Sequence, residues 1–286
     1  MTTQLVRTIA QARSRVLDAR HAGFTTGLVP TMGDLHAGHG ALIERARRQT
    51  DFVVVSVFVN PIQFDRASDY EKYARDVQRD VEFCTAHGVD LVFAPDPAEM
   101  YPTPSQTLVE VSGVSEHLCG EFRPGHFRGV ATVLAKLFHI LPADRAYFGE
   151  KDGQQLAVVR RMVADLNFPV TIVAVPTVRD ADGLALSSRN QRLTPEQRAI
   201  APRLYQALSA VSGKIAEGCK DAAEAKEAGL AILRQEPLIR VEYFEIVGAA
   251  DMQPCNPVEG RVAIAAAIWL GETRLIDNIL TAAQPS

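Results

Sequence analysis

Leu28-Val-Pro-Thr-Met-Gly-Asp-Leu-His-Ala-Gly-His39, continuing as Gly-Ala-Leu-Ile-Glu-Arg-Ala-Arg47, decides the fold of this 286-residue chain. It begins as the end of a short apolar strand and turns through Pro30, Gly33 and Gly38. It then enters a segment whose apolar residues Leu42, Ile43 and Ala46 recur at helical spacing. A strand that passes through glycines into a helix presents free backbone N–H groups and the positive end of a helix dipole, a geometry that accepts phosphate oxygens. His36 and His39 stand three positions apart at that helix mouth. Imidazole N–H donors placed there can stabilise charge that develops on a phosphate. The competing readings are a zinc site and two solvated histidines at a turn. Zinc needs a third ligand, and no Cys or His lies close by in sequence.

Working outward, Asp51–Val59 is a nearly continuous apolar run rich in β-branched residues, as in a strand buried on both faces of a parallel sheet. It stops at Asn60-Pro-Ile-Gln-Phe64, where Pro61 cannot continue a ladder. Upstream, residues 4–21 read as an amphipathic helix ending near Gly23, and Thr25–Val29 as the first strand. Downstream, 69–87 reads as a helix and Asp90–Ala94 as a strand. After a Pro-rich loop come a short strand at Leu108–Val111, a helix over 130–141 and a strand at Arg145–Phe148. Gly149-Glu-Lys-Asp-Gly-Gln-Gln155 then leads into a helix to about Asn167 and the strand Val170–Val175. This alternation predicts an α/β fold, a Rossmann-like doubly wound parallel sheet. Beyond Pro176 the character changes. Helices at about 195–217 and 221–234, then strands at about 239–247, 261–269 and 273–279, predict a smaller C-terminal α+β domain. The expected division is 1–178 and 179–286.

Composition excludes several classes. Apolar residues make up 47% and charged residues 22%, with a formal net charge of −4, so nothing suggests a nucleic-acid coat or a binder of anionic membranes. The apolar run Val262–Leu270 is far short of a membrane span. Met1-Thr-Thr-Gln-Leu-Val-Arg-Thr8 lacks the basic-then-apolar layout of a signal peptide. Cys84, Cys119, Cys219 and Cys255 are scattered, with no C-x-x-C pair, which predicts free thiols in a reducing cytosol.

Four polar clusters are expected on the edge of one sheet: His36 with His39; Asn60 with Gln63; Lys151, Asp152 and Gln155; and Ser187, Ser188 and Arg189. Lys and Arg suit phosphate charge, and amide side chains suit the hydroxyls and carboxylate of a small substrate. Asp80 or Asp152 is a carboxylate able to help hold Mg²⁺ while water and phosphate supply its other ligands. Taken singly, Lys151 reads equally well as surface charge, Asn60-Pro61 as a turn and Ser187–Arg189 as a linker, while H-x-G-H after a strand favours nucleotide handling. No Ser, Cys or Lys nucleophile stands out with a paired base.

Pro30–His39, Val57-Phe-Val-Asn-Pro-Ile-Gln-Phe64, Gly149–Gln155 and Leu186-Ser-Ser-Arg-Asn190 together closely resemble the pantoate–β-alanine ligase (pantothenate synthetase) family of the H-x-G-H nucleotidyltransferases. The resemblance spans nearly the whole chain in order and spacing, and its last hundred residues are less telling. It implies an ATP-dependent ligation in which the pantoate carboxylate attacks the α-phosphorus of Mg-ATP. A pantoyl adenylate and pyrophosphate result, and the β-alanine amine then displaces AMP. It further implies that Met32, Gly33, Asp34, Leu35, His36, Ala37, Gly38 and His39 line the ATP site, with His39 and His36 catalytic. By the same resemblance Gly149, Glu150, Lys151 and Asp152 would meet ATP, with Lys151 on its phosphates. Val178 would pack near the adenosine, and Leu186, Ser187, Ser188 and Arg189 would close over the phosphates. Gln63 and Gln155 would bind pantoate, Gln63 also serving β-alanine, and Asp80 matches a family carboxylate near the metal. Family members are cytoplasmic homodimers whose second domain is a lid, with neither nucleic acid nor membrane as partner. The chain departs from the family pattern at Ala74 (often Pro), Gly153 (usually Tyr), Leu186 (usually Met) and Arg79 (an acid in some members). Two rival readings are a nucleotidyltransferase that stops after adenylyl transfer and a nucleotide-sensing module without turnover.

Overall fold

The computed structural model describes residues 3–71 and 73–283. Its first part runs β1 (Gln4–Val6), α1 (Ile9–His21), β2 (Thr26–Thr31), α2 (Ala37–Gln49), β3 (Phe52–Val57), α3 (Ala67–Glu71), α4 (Val77–Ala86), β4 (Leu91–Phe93) and α5 (Pro97–Met100). There follow α6 (Cys119–Phe122), α7 (His126–Ile140), β5 (Arg145–Gly149), α8 (Gly153–Asp165) and β6 (Thr171–Val175). The remainder is α9 (Pro195–Ile200), α10 (Arg203–Ala216), α11 (Ala222–Leu233), β7 (Ile239–Gly248), β8 (Arg261–Leu270) and β9 (Thr273–Ala282). Short 3-10 turns sit at Pro61–Gln63, Glu150–Asp152 and Ser188–Arg192.

Contacts divide the chain into two compact units. The first is Met1–Val111, Arg123–Gly149 and Val158–Val175; the second is Ser112–Phe122, Glu150–Ala157 and Pro176–Ser286. In the first, β2 to β6 and β1 form a parallel sheet in the order β1-β4-β3-β2-β5-β6. Val53, Val54 and Val55 of β3 are fully buried, as a central strand covered on both faces requires. The strand order reverses between β2 and β5, which is the switch point where α/β sheets bind ligands. There β2 and β5 pair only at Gly27–Arg145 and Leu28–Ala146, whereas β2 and β3 pair at six positions. Residue parity gives the reason. Thr26 offers its carbonyl to Asp144 on the β5 side and Thr31 offers its own to Phe58 on the β3 side. Pro30, of Thr26 parity, therefore lacks an N–H where the β2–β5 ladder would continue.

In the second unit, β7-β8-β9 form an antiparallel sheet. One face, with Ile264, Ala266 and Ile268, packs on α10 residues Leu204, Leu208 and Val211. The other, with Ala263 and Ala265, packs on Leu118, Ala157 and Met252. The α/β sheet and the smaller α+β part are as expected.

Several local expectations are corrected. Residues 4–6 are not helical. They form β1 beside β4, and the helix starts later because Thr8 caps it, its hydroxyl accepting the Gln11 N–H. The predicted helix 69–87 is two helices, since Asp76 caps a fresh start by accepting the Arg79 N–H; Lys72 lies outside the described residues. Leu108–Val111 is not a strand, and the Val109 N–H is satisfied by the Thr132 hydroxyl of α7. The predicted helix 195–217 breaks between α9 and α10 at Pro202, which has no N–H to give. Among the described residues no helix is long and apolar enough to cross a membrane.

Candidate active site

The decisive loop is built by φ values that few residues accept. Gly33 (φ 83°) and Asp34 (φ 52°) are both left-handed, a region open to Gly and tolerated by Asp. Asp80 of α4 braces them. One of its carboxylate oxygens accepts the Leu35 N–H at 2.9 Å and the other the Asp34 N–H at 3.2 Å. A side chain at Gly33 would put its Cβ 2.7 Å from that carboxylate. Asp80 is 2% exposed, and burial pushes its carboxyl above the ordinary value against the pull of the two amides. Arg79 reaches Asp34 at 3.6 Å, which gives this departure from the family pattern a place on the loop.

The loop delivers His36 as the N-cap of α2. Its Nδ1 accepts the Gly38 N–H at 3.1 Å, while His39 Nδ1 accepts the His36 N–H at 3.2 Å. This is a capping box made of two imidazoles. Because each Nδ1 is an acceptor, each neutral ring carries its proton on Nε2. The rings stand 4.2 Å apart, tilted by 48°. The helix mouth thus differs from the expectation of free backbone N–H groups. Gly38 bonds the His36 ring, and His39 and Gly40 bond the His36 carbonyl. The donors characteristic of this mouth are imidazole Nε2–H groups, together with the helix dipole.

In the same unit Gln63 is buried and its amide is oriented. Asn60 Nδ2 donates to Gln63 Oε1 at 3.0 Å and to the Gly129 carbonyl at 3.1 Å, and Asn60 Oδ1 accepts from the Tyr101 hydroxyl at 2.9 Å. With its oxygen engaged, Gln63 presents its NH₂ group, which lies 3.0 Å from the Met32 sulfur. Burial raises the Tyr101 phenol, so the hydroxyl stays a donor. The backbone of Gln63 is held too, since its carbonyl meets His126 Nδ1 at 2.8 Å. Tyr101, His126 and Gly129 were not singled out from the sequence. The available signal was Gly129, a glycine directly before the predicted helix 130–141 that falls inside the observed helix His126–Ile140.

Of the other two clusters, Lys151 and Asp152 follow directly on the C-terminal end of β5, as expected, and with Gln155, Ser187, Ser188 and Arg189 they group in the second unit. Lys151 sits in the turn Glu150–Asp152, with its side chain 17% exposed and Nζ 3.8 Å from Asp152. It lines a recess with Ser187, Arg189, Asn190, Arg274 and Asp277. Ser187 caps the turn Ser188–Arg192, its hydroxyl accepting the Arg189 N–H at 3.3 Å. Val178 and Leu186 are brought together by a small hairpin, the Leu186 N–H donating to the Val178 carbonyl at 2.9 Å. At the start of α8 the two glutamines part. Gln154 is buried and ties down Val114, His117 and Cys119, while Gln155 is partly exposed.

For a metal, the donor set argues against a resident protein cage. Among the described residues no group of three or more His, Cys, Asp or Glu is placed to hold an ion. Asp80 has both oxygens on backbone amides, as above. The residues fit only a metal that arrives with most of its ligands, as Mg²⁺ does on nucleotide phosphates.

A family model described as pantoate-beta-alanine ligase matches residues 4–280. The pantothenate synthetase of Moorella thermoacetica is 51% identical over 277 residues, covering 97% of this chain and 98% of that protein. That of Azotobacter vinelandii is 51% identical, covering 96% and 97%. Among solved structures, the pantothenate synthetase of Thermus thermophilus is 49% identical with a TM-score of 0.91, covering 97% of this chain and 99% of that one. The pantoate-beta-alanine ligase of Francisella tularensis, solved in complex with beta-gamma ATP and beta-alanine, is 32% identical with a TM-score of 0.81, covering 99% and 100%.

Proposed function

The chain belongs to the pantoate–β-alanine ligase family, and from that premise we propose the course of its reaction and the residues that carry it. It is an enzyme of the ligase class. The pantoate carboxylate attacks the α-phosphorus of ATP, forming a pantoyl adenylate and releasing pyrophosphate. The β-alanine amine then attacks the acyl carbon, loses a proton and expels AMP, leaving pantothenate. The substrate supplies the nucleophile, which agrees with a chain in which no activated Ser, Cys or Lys stands out. The enzyme contributes alignment and charge stabilisation.

His36 and His39 hold Nε2–H donors toward the α-phosphate oxygens as charge builds in the transition state. Lys151 and Arg189, with Ser187 and Ser188, take the remaining phosphate charge. The loop Met32, Gly33, Asp34, Leu35, Ala37 and Gly38, the stretch Gly149, Glu150 and Asp152, and Val178 and Leu186 complete the nucleotide contacts. The NH₂ group of Gln63 and the amide of Gln155 bind pantoate, and Gln63 also serves β-alanine. Mg²⁺ enters with ATP and neutralises phosphate charge. Asp80 serves by holding the loop. Residues 1–178 act as the ATP- and pantoate-binding domain and 179–286 as a lid; the enzyme works as a cytoplasmic homodimer.

The observation that carries this reading is the reciprocal histidine cap, which fixes two ring N–H donors on the loop after β2. The test is pyrophosphate release from Mg-ATP with pantoate, with and without β-alanine, following AMP and pantothenate in parallel. Pantoate-dependent release sustained by β-alanine and matched by AMP and pantothenate is expected. Release that needs another acceptor, or ATP binding with no release, overturns the assignment.

A further inference from the structure

We propose that Asn278 of β9, which lies outside the phosphate contacts assigned above, is a positioning residue for the nucleotide phosphates, holding Lys151 while its neighbour Asp277 holds the segment that carries Ser187 and Arg189. This rests on the reading that Lys151 and Arg189 bind ATP phosphates. Asn278 Nδ2 donates to two successive carbonyls, Glu150 at 2.9 Å and Lys151 at 2.8 Å. Only a side chain with two hydrogens on one atom can bridge them so. Asp has no donor and Ser has one. The approach is close because position 153 is glycine. A Cβ there would stand 3.1–3.2 Å from three atoms of the Asn278 amide.

Asp277 works on the opposite face of the strand, as successive strand residues must. Its side chain is 2% exposed and meets Arg179 at 2.5 and 3.0 Å in a two-point contact. Arg179 also donates to the Gly183 carbonyl at 3.1 Å and lies 4.0 Å above the Tyr205 ring, so it fixes the hairpin that leads into Ser187. Two adjacent residues on an edge strand thereby set two segments that are 36 positions apart at Lys151 and Ser187. A buried ion pair and a doubly donating amide set geometry more than they add stability. Their placement beside a recess lined by Lys151 and Arg189 assigns that geometry to the phosphate contacts.

The experiment compares Asn278→Ala, Asn278→Asp, Asn278→Gln and Lys151→Ala in steady-state assays of the full-length enzyme, with the Michaelis constant for each substrate, kcat and Tm. Loss of two neutral hydrogen bonds corresponds to about ten-fold. The expected result is a rise of that order in KM for ATP in Asn278→Ala, with KM for β-alanine nearly unchanged. Asn278→Asp is worse, because a carboxylate then opposes two carbonyls, and Asn278→Gln, which keeps the NH₂ group, recovers part of the loss. If Asn278→Ala leaves KM for ATP unchanged while Lys151→Ala raises it, the positioning role is wrong and the phosphate reading stands. If Lys151→Ala changes neither KM for ATP nor kcat, the reading beneath falls with it. Equal rises in every KM together with a lower Tm mean a structural residue only, and also overturn the proposal. Should Asn278→Ala not be recovered folded, Asn278→Ser, which keeps one donor, takes its place under the same criteria.

Discussion

His39 closes the α2 cap and carries the catalytic role proposed above, and a substitution can separate the two. Nδ1 closes the α2 cap by accepting the His36 N–H, and Nε2 carries the proton. His39→Ala loses both, so about 1 kcal/mol of stability is expected to go with the cap. Turnover is expected to fall more than about 100-fold with the lost donor. His39→Glu keeps an acceptor of the kind that closes such a box, but has no donor. It should therefore unfold at nearly the wild-type urea midpoint and remain as inactive as the alanine variant. Near-wild-type turnover in either variant sinks the catalytic role. The H-x-G-H spacing made the pair legible in sequence, because spacing at a helix mouth is local. The tautomer was not legible, since it depends on which backbone amide each ring meets. Asp80 shows the same limit: its carboxylate was visible, but its role as a brace depends on Asp34 and Leu35, far away along the chain.

At the scale of elements, α7 meets the Pro61–Gln63 turn at Gly129. A Cβ there would lie 2.4 Å from the Ile62 carbonyl and 2.6 Å from Gln63 Cα, both backbone atoms that cannot swing aside. Gly129→Ala is expected to cost about 1–3 kcal/mol by overpacking. It is also expected to raise KM for pantoate more than KM for ATP, because the displaced residue is Gln63. Denaturant titration and substrate-resolved kinetics check both parts. An unchanged stability and pantoate KM show that α7 does not fix the turn. In the parallel sheet β3 and β6 were legible because continuous runs rich in β-branched residues have few other uses. The short β1 and the false strand at 108–111 were not, since a segment of three or four residues pairs only if a partner edge is present.

At the scale of the molecule, the absence of a protein-only metal cage among the described residues makes a prediction. EDTA should leave the Tm of the nucleotide-free protein unchanged, yet with ATP present it should abolish both turnover and the rise in Tm that saturating Mg-ATP produces by binding the native state. A fall in Tm on chelation alone shows a resident metal instead. Local chemistry fixed much of this protein from sequence: apolar period set the two kinds of sheet, and glycine, proline and histidine set the loop after β2. The four motifs, in their order and spacing, also resembled one family, and the family model matches over residues 4–280. Tertiary structure decided the rest. The brace of Asp80 on the loop after β2, the hold of Tyr101 and Gly129 on the Asn60 amide that orients Gln63, and the hold of β9 on Lys151 all join residues distant in sequence. Hydrogen bonds and close packing act over a few ångströms in space. Only the folded chain determines which distant residues come within that reach.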